Sequence, residues 1–89
     1  MSYTVEYTDR VIKKLKKPDV YTKLLIKSWI DKNLVNCINP KAHGKLLTGN
    51  KKGKWRYRIG DYRLICVIDD KKLVILALDI GHRSNVYKI

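Results

Sequence analysis

Acid is what this chain is short of: 8 aspartates and glutamates stand against 20 lysines and arginines, so its 89 residues carry a formal charge of +12. That excess is larger than solubility requires. It repels itself in the compact state and attracts polyanions, either nucleic acid or an acidic protein. Cysteine is scarce too. Cys37 and Cys66 have neither the CxxC spacing of a metal or redox motif nor the density of a disulfide scaffold, so reduced thiols are expected. No run of 18 apolar residues occurs and no charged leader precedes an apolar stretch, which points to a soluble, cytoplasmic protein with no membrane partner. Repeats, linkers and low-complexity stretches are absent, so residues 1–89 read as one domain. A chain this short buries only about 60 to 65% of its unfolded surface, so the core must be simple.

What is present reads as a short series of elements. In "SYTVEYT", Tyr3, Val5 and Tyr7 alternate with Thr4 and Glu6, a half-buried strand over 2–7. Thr8 or Asp9 is placed to cap a helix carrying Val11, Ile12 and Leu15 on one side and Lys13, Lys14, Lys16 and Lys17 on the other, stopped by Pro18. From Asp19 to about Leu34 the positions Val20, Leu24, Leu25, Ile26, Trp29 and Ile30 form a wide apolar stripe, which predicts a second helix covering one face of the sheet. Residues 36–53, with Pro40, Gly44, Gly49 and Gly53, read as a loop anchored by Leu46 and Leu47. Strands follow near 54–59, 62–69 and 72–80, joined by "GD" and "DK" turns, and then a tail, "GHRSNVYKI". The fold class is α+β: an antiparallel sheet against two N-terminal helices in the order β-α-α-β-β-β.

The stretch "KWRYRIGDYRLICVI" sets cations into a hairpin. Alternation places Lys54, Arg56 and Arg58 on one face and Trp55, Tyr57 and Ile59 on the other. With Gly60 and Asp61 central in the turn, Arg58 faces Arg63 directly, which costs about 0.2 to 1 kcal/mol. Ile65, Val67, Val74, Leu76 and Leu78 fall on the same face, so it is cationic at one end and greasy at the other, a surface suited to a protein partner. Arginines grouped on a rigid sheet suit phosphate, because each offers a planar fork of donors and stays charged.

"GKLLTGNKKGKWRYRIGDYRLICVI" followed by "GHRSNVY" resembles the RelE family of bacterial type II toxins, within the RelE/ParE superfamily, over nearly the whole chain. The resemblance implies a RelE-like microbial RNase fold. It also implies an endoribonuclease that enters the ribosomal A site and cuts the mRNA there without metal or cofactor. The RNA's own 2′-hydroxyl attacks the adjacent phosphate, leaving a 2′,3′-cyclic phosphate. The implied partners are the ribosome, mRNA and a RelB-like acidic antitoxin, with operator DNA bound only by the toxin–antitoxin complex.

By motif, Arg63 matches the family arginine at the phosphorane, Arg83 the one at the leaving oxygen, and Tyr87 the tyrosine that stacks on or orients a base. Arg56 and Arg58 stand where RelE carries lysines, and an arginine is a poor proton acceptor. Residues 41–53 offer no acid in their place. His82, His43 or Tyr87 are the remaining candidates, or catalysis rests on charge and positioning. Lys13, Lys14, Lys16, Lys17, Lys45, Lys51, Lys52 and Lys54 are expected to contact RNA phosphates. The rival readings are a ParE-like gyrase poison on the same fold and a non-catalytic nucleic-acid-binding module.

Overall fold

A computed structural model describes residues 1–49 and 53–85. Strand β1 (Thr4–Tyr7) runs into helix α1 (Asp9–Leu15), whose first turn is capped by the Thr8 hydroxyl accepting the Val11 amide at 3.3 Å. Pro18 separates α1 from α2 (Val20–Asn33), where the Asp19 carboxylate accepts the Thr22 amide at 3.1 Å. Strands β2 (Gly44–Leu46), β3 (Trp55–Ile59), β4 (Tyr62–Asp69) and β5 (Val74–His82) complete the chain.

The sheet order is β1-β5-β4-β3-β2. It is mixed, not wholly antiparallel as expected, because β1 lies parallel to β5, from Thr4 beside Val74 to Tyr7 beside Ala77. A parallel neighbour needs a long connection, and here everything between first and last strand supplies it. The loop expected over 36–53 also needs correcting: it holds a 3-10 turn at Pro40–His43 and then β2, which pairs with β3. Leu46 is half exposed instead of anchoring that segment. Leu47 is half buried, its amide bonding the Lys54 carbonyl at 2.8 Å.

Ile26, Ile30 and Leu34 pack on Tyr57, Ile59, Leu64, Cys66, Ile75 and Ile80 from one sheet face, and Val11 of α1 joins them. Of the wide stripe on α2, Val20, Leu24 and Leu25 remain 71, 59 and 43% exposed. A helix lying on a sheet buries an arc of about 100°, and six apolar positions spread over more than that. Among the described residues no helix is long and apolar enough to cross a membrane.

Gly44 is where close approach decides the residue type. A Cβ there would lie 2.8 Å from Cε1 of Tyr57. The Tyr57 ring is fully buried and its hydroxyl donates to the Pro40 carbonyl at 2.5 Å, so it has little room to yield. Gly44→Ala is expected to cost about 1 to 3 kcal/mol through overpacking, with the thermal midpoint falling about 4 to 8 °C per kcal/mol. An unchanged midpoint would mean that the ring moves aside.

Candidate functional site

The hairpin register is the one alternation implies: Arg58 opposite Arg63, and Ile59 opposite Tyr62. Gly60 takes φ +59° at the first central turn position, which a side chain disfavours. Across the sheet Lys45, Arg56, Ile65 and Asp79 form one row, and Arg58, Arg63 and Gly81 form the next. Arg58 is exposed and Arg56 half buried. Arg63 is 5% exposed, its Nη1 donating to the carbonyls of Gly60 at 2.8 Å and Tyr62 at 2.9 Å. The turn therefore holds this guanidinium in one orientation. The Arg83 amide bonds the Asp61 carbonyl at 2.8 Å, which sets Arg83 beside the same turn.

One residue redistributes the faces. Ile65 pairs with Asp79 while Cys66 pairs with Ala77, so Leu78 is an extra residue in β5. The bulge turns Asp79 and Gly81 onto the arginine face and His82 onto the other, where its ring meets Tyr62 edge-on at 5.9 Å. His82 and the arginines are thus on opposite faces at one end of the sheet. The greasy half of the arginine face is also smaller than expected: Ile65 is fully buried, and Val67, Val74, Leu76 and Leu78 are half buried. The most exposed apolar side chains of the helices are Val20, Tyr21 and Leu24 on α2, with Ile12 on α1 also open.

Asp79 was not singled out by sequence reasoning, although a lone acid in the apolar run "VILALDIGH" is a signal. It is 2% exposed, and its Oδ1 accepts from Arg10 Nε at 3.1 Å, Lys14 Nζ at 2.6 Å and the Ile80 amide at 2.9 Å. Burial pushes its carboxyl pKa up, but the Lys14, Arg10 and Ile80 bonds outweigh burial and hold it below the ordinary value of 3.8. Lys14 is therefore committed to an ion pair, whereas Lys13, Lys16, Lys17 and Lys45 are exposed and Lys54 is half buried. His43 meets Trp29 edge-on at 6.5 Å, and Trp29 packs on Tyr57, so His43 belongs to the helix side, away from the arginines. Burial raises the Cys66 thiol pKa, which leaves it an inert core group. Among the described residues no cluster of three or more histidines, cysteines or acids could hold a metal. Lys51, Lys52 and Tyr87 lie outside the described residues.

A family model described as the ParE toxin of the type II toxin–antitoxin system parDE matches residues 5–87. Among solved structures, the RelBE2 toxin–antitoxin complex of Mycobacterium tuberculosis matches with a TM-score of 0.84 at 27% identity, covering 96% of this chain and 95% of that one. The archaeal RelE–RelB complex of Pyrococcus horikoshii gives 0.72 at 24% identity, with 97% and 100% covered. A mutant of the Escherichia coli toxin RelE in the free state gives 0.74 at 22% identity, with 99% and 93% covered. The last two likenesses speak to the fold alone. No curated protein matches.

Proposed function

The chain belongs to the ParE toxin family of type II toxin–antitoxin systems, and on that premise we propose that it is a ribosome-dependent mRNA endoribonuclease. The observation that carries this reading is the fixed guanidinium of Arg63 beside Arg58, at a turn that also seats Arg83. Arg63 stabilises the charge of the pentacoordinate phosphorus and Arg83 the leaving 5′-oxygen. Arg56 and Arg58 draw the phosphate in and lower the cost of ionising the attacking 2′-hydroxyl, and Tyr87 stacks on a base. The bond formed is 2′-oxygen to phosphorus and the bond broken is phosphorus to 5′-oxygen; the 2′-hydroxyl proton passes to water and water returns one to the departing 5′-oxygen, giving a 2′,3′-cyclic phosphate and a 5′-hydroxyl. The one acid in the arginine rows, Asp79, is tied to Lys14 and Arg10, so catalysis rests mainly on charge and positioning.

A site of that kind depends on something else to place the strand. Cleavage of mRNA on ribosomes, with little cleavage of naked RNA, is the expected result when mRNA ends are mapped in a translation system. Equal rates with and without ribosomes would contradict the reading. The partner that silences the toxin is a cognate acidic antitoxin. Its apolar, acidic segment occupies the groove between α1 and α2, where Tyr7, Ile12 and Leu15 form the wall and Lys16, Lys23 and Lys27 the rim.

A second reading is favoured by the ParE description of the matching family: a gyrase poison. A supercoiling assay with purified gyrase separates the two, since inhibition there without cyclic-phosphate ends on mRNA would select it.

A further inference from the structure

At the end of the sheet where the arginines stand, a cavity of about 300 Å³ opens toward the helices, between the C-terminal end of α1, Pro18 and the last residues of β5. Lys14, Lys17, Tyr62, His82 and Asn85 line it over an apolar floor that includes Ile26 and Ile80. Gly81 lines it too, and Gly81 is the cross-strand partner of Arg63. The cavity and the arginine rows therefore meet at a residue with no side chain.

The donor and acceptor roles in this cavity are set by the chain itself. The Ser84 backbone amide, which can only donate, lies 3.3 Å from His82 Nδ1, and the Ser84 hydroxyl lies 3.0 Å from the same nitrogen. Nδ1 is thus the acceptor, and the neutral imidazole carries its proton on Nε2. The edge-on contact with Tyr62 fixes the ring plane. His82 offers a ligand an N–H donor, while the lone pair that a general base would use is turned to Ser84. Lys14 is anchored at the wall by Asp79 at 2.6 Å, and Lys17 is exposed. One exposed ammonium group on Lys17, a second on Lys14 already paired with Asp79, one N–H donor, a carboxamide able both to donate and to accept, and an apolar floor match an anionic phosphate joined to a flat, hydrogen-bonding base.

We infer that this cavity is a second RNA subsite, which holds the phosphate and base of a nucleotide neighbouring the one at the arginines, with His82 Nε2–H as a donor to it. The inference rests on the reading of the arginine face as an RNA site. It places Ser84 as a positioning residue acting through His82.

The test uses the full chain and a short single-stranded RNA made uncleavable by 2′-O-methyl riboses, with affinity read by fluorescence anisotropy over a range of salt. Lys17→Ala should weaken binding and reduce the salt slope by about one. His82→Ala should weaken it about tenfold, and His82→Gln, whose amide keeps a donor near the Nε2 position, should restore most of that. The ¹⁵N spectrum of the His82 ring should show a protonated Nε2, shifted on RNA addition. Both residues are exposed, so a thermal melt of each variant checks that folding is intact. If RNA binds and Arg58→Ala weakens it, yet the Lys17 and His82 variants bind normally, the subsite is overturned and the arginine reading stands. If no RNA binds the wild-type chain, the subsite is overturned, while the arginine reading stands or falls on cleavage of mRNA on ribosomes. His82→Gln as weak as His82→Ala would overturn the donor assignment. An acidic leucine-rich peptide that shifts the His82 signals when RNA does not would give the cavity to a protein partner, overturning the inference.

Discussion

Arg63→Ala is expected to cut ribosome-dependent mRNA cleavage by about 10² to 10³ while lowering the thermal midpoint by about 4 to 8 °C. The catalytic loss follows from removing one oriented donor aimed at developing negative charge, worth about 3 to 4 kcal/mol in a site of this kind. Arg63 is suited to that role because Gly60 and Tyr62 hold its Nη1, so little reorganisation is left to the transition state. The stability loss is smaller. Two hydrogen bonds of about 1 kcal/mol each disappear, the turn carbonyls regain water, and relief of the Arg58 repulsion returns about 0.2 to 1 kcal/mol. A net loss near 1 kcal/mol accounts for the shift in midpoint. Repulsion alone would raise the midpoint; burial of the guanidinium at 5% exposure reverses the sign. Arg58→Ala, at an exposed position, should impair cleavage with no stability loss. Mapped mRNA ends and a melting curve for each variant decide the matter. Normal cleavage per folded molecule by Arg63→Ala, with a collapsed midpoint, would make this arginine structural.

The β3–β4 hairpin was legible because its signals are local. "GD" fixes the turn, the turn fixes the register, and the register fixes Arg58 against Arg63. The cap of α1 was narrowed to Thr8 or Asp9 for the same reason, and the structure selects Thr8; the cap that Asp19 provides for α2 was not read. The parallel pairing of β1 with β5 was not, since nothing in "TVEY" names a partner some 70 residues away. Strand β2 is three residues long and shows no alternation, so it passed for loop. On α2, propensity and apolar count describe a helix, but which of Leu24, Leu25, Ile26 and Ile30 is buried depends on how the helix lies on the sheet. The consequential miss is Leu78. Simple alternation through β5 would carry Leu78, Ile80 and His82 on the arginine face. The single extra residue inverts the end of the strand, brings Asp79 and Gly81 to that face, and turns His82 to the cavity. A bulge in an apolar strand leaves no mark in composition.

Asp79→Asn should produce a large stability loss of opposite character, one that depends on pH. At neutral pH the variant keeps an acceptor for the Ile80 amide but leaves Lys14 and Arg10 without an anion, and α1 loses its ion-pair tie to β5. Breaking a fully buried pair costs about 3 to 5 kcal/mol. Arg10 and Lys14 are 55 and 33% exposed and regain water, so about 1 to 3 kcal/mol is expected. That is a large share of the roughly 4 to 13 kcal/mol available to a domain of this size. The sign with pH follows from linkage. The folded-state pKa of Asp79 is depressed below 3.8, so its stabilisation is fully present above the unfolded value and lost as pH falls through the folded one. Urea unfolding at neutral pH should therefore separate wild type from Asp79→Asn, and the gap should close progressively below about pH 4. Asp19 and Asp70, also depressed, contribute the same acid sensitivity to both proteins and cancel in the comparison. A gap that persists unchanged into acid would assign the loss to packing of the carboxamide and not to the ion pairs. Because desolvation opposes the pairing, Asp79→Leu combined with Lys14→Met should recover part of the stability at neutral pH, the Ile80 amide still lacking its acceptor, while removing the anchored ammonium from the cavity wall. Recovery of the fold without recovery of full RNA affinity would show that the Lys14 ammonium serves a ligand as well as tying α1 to β5.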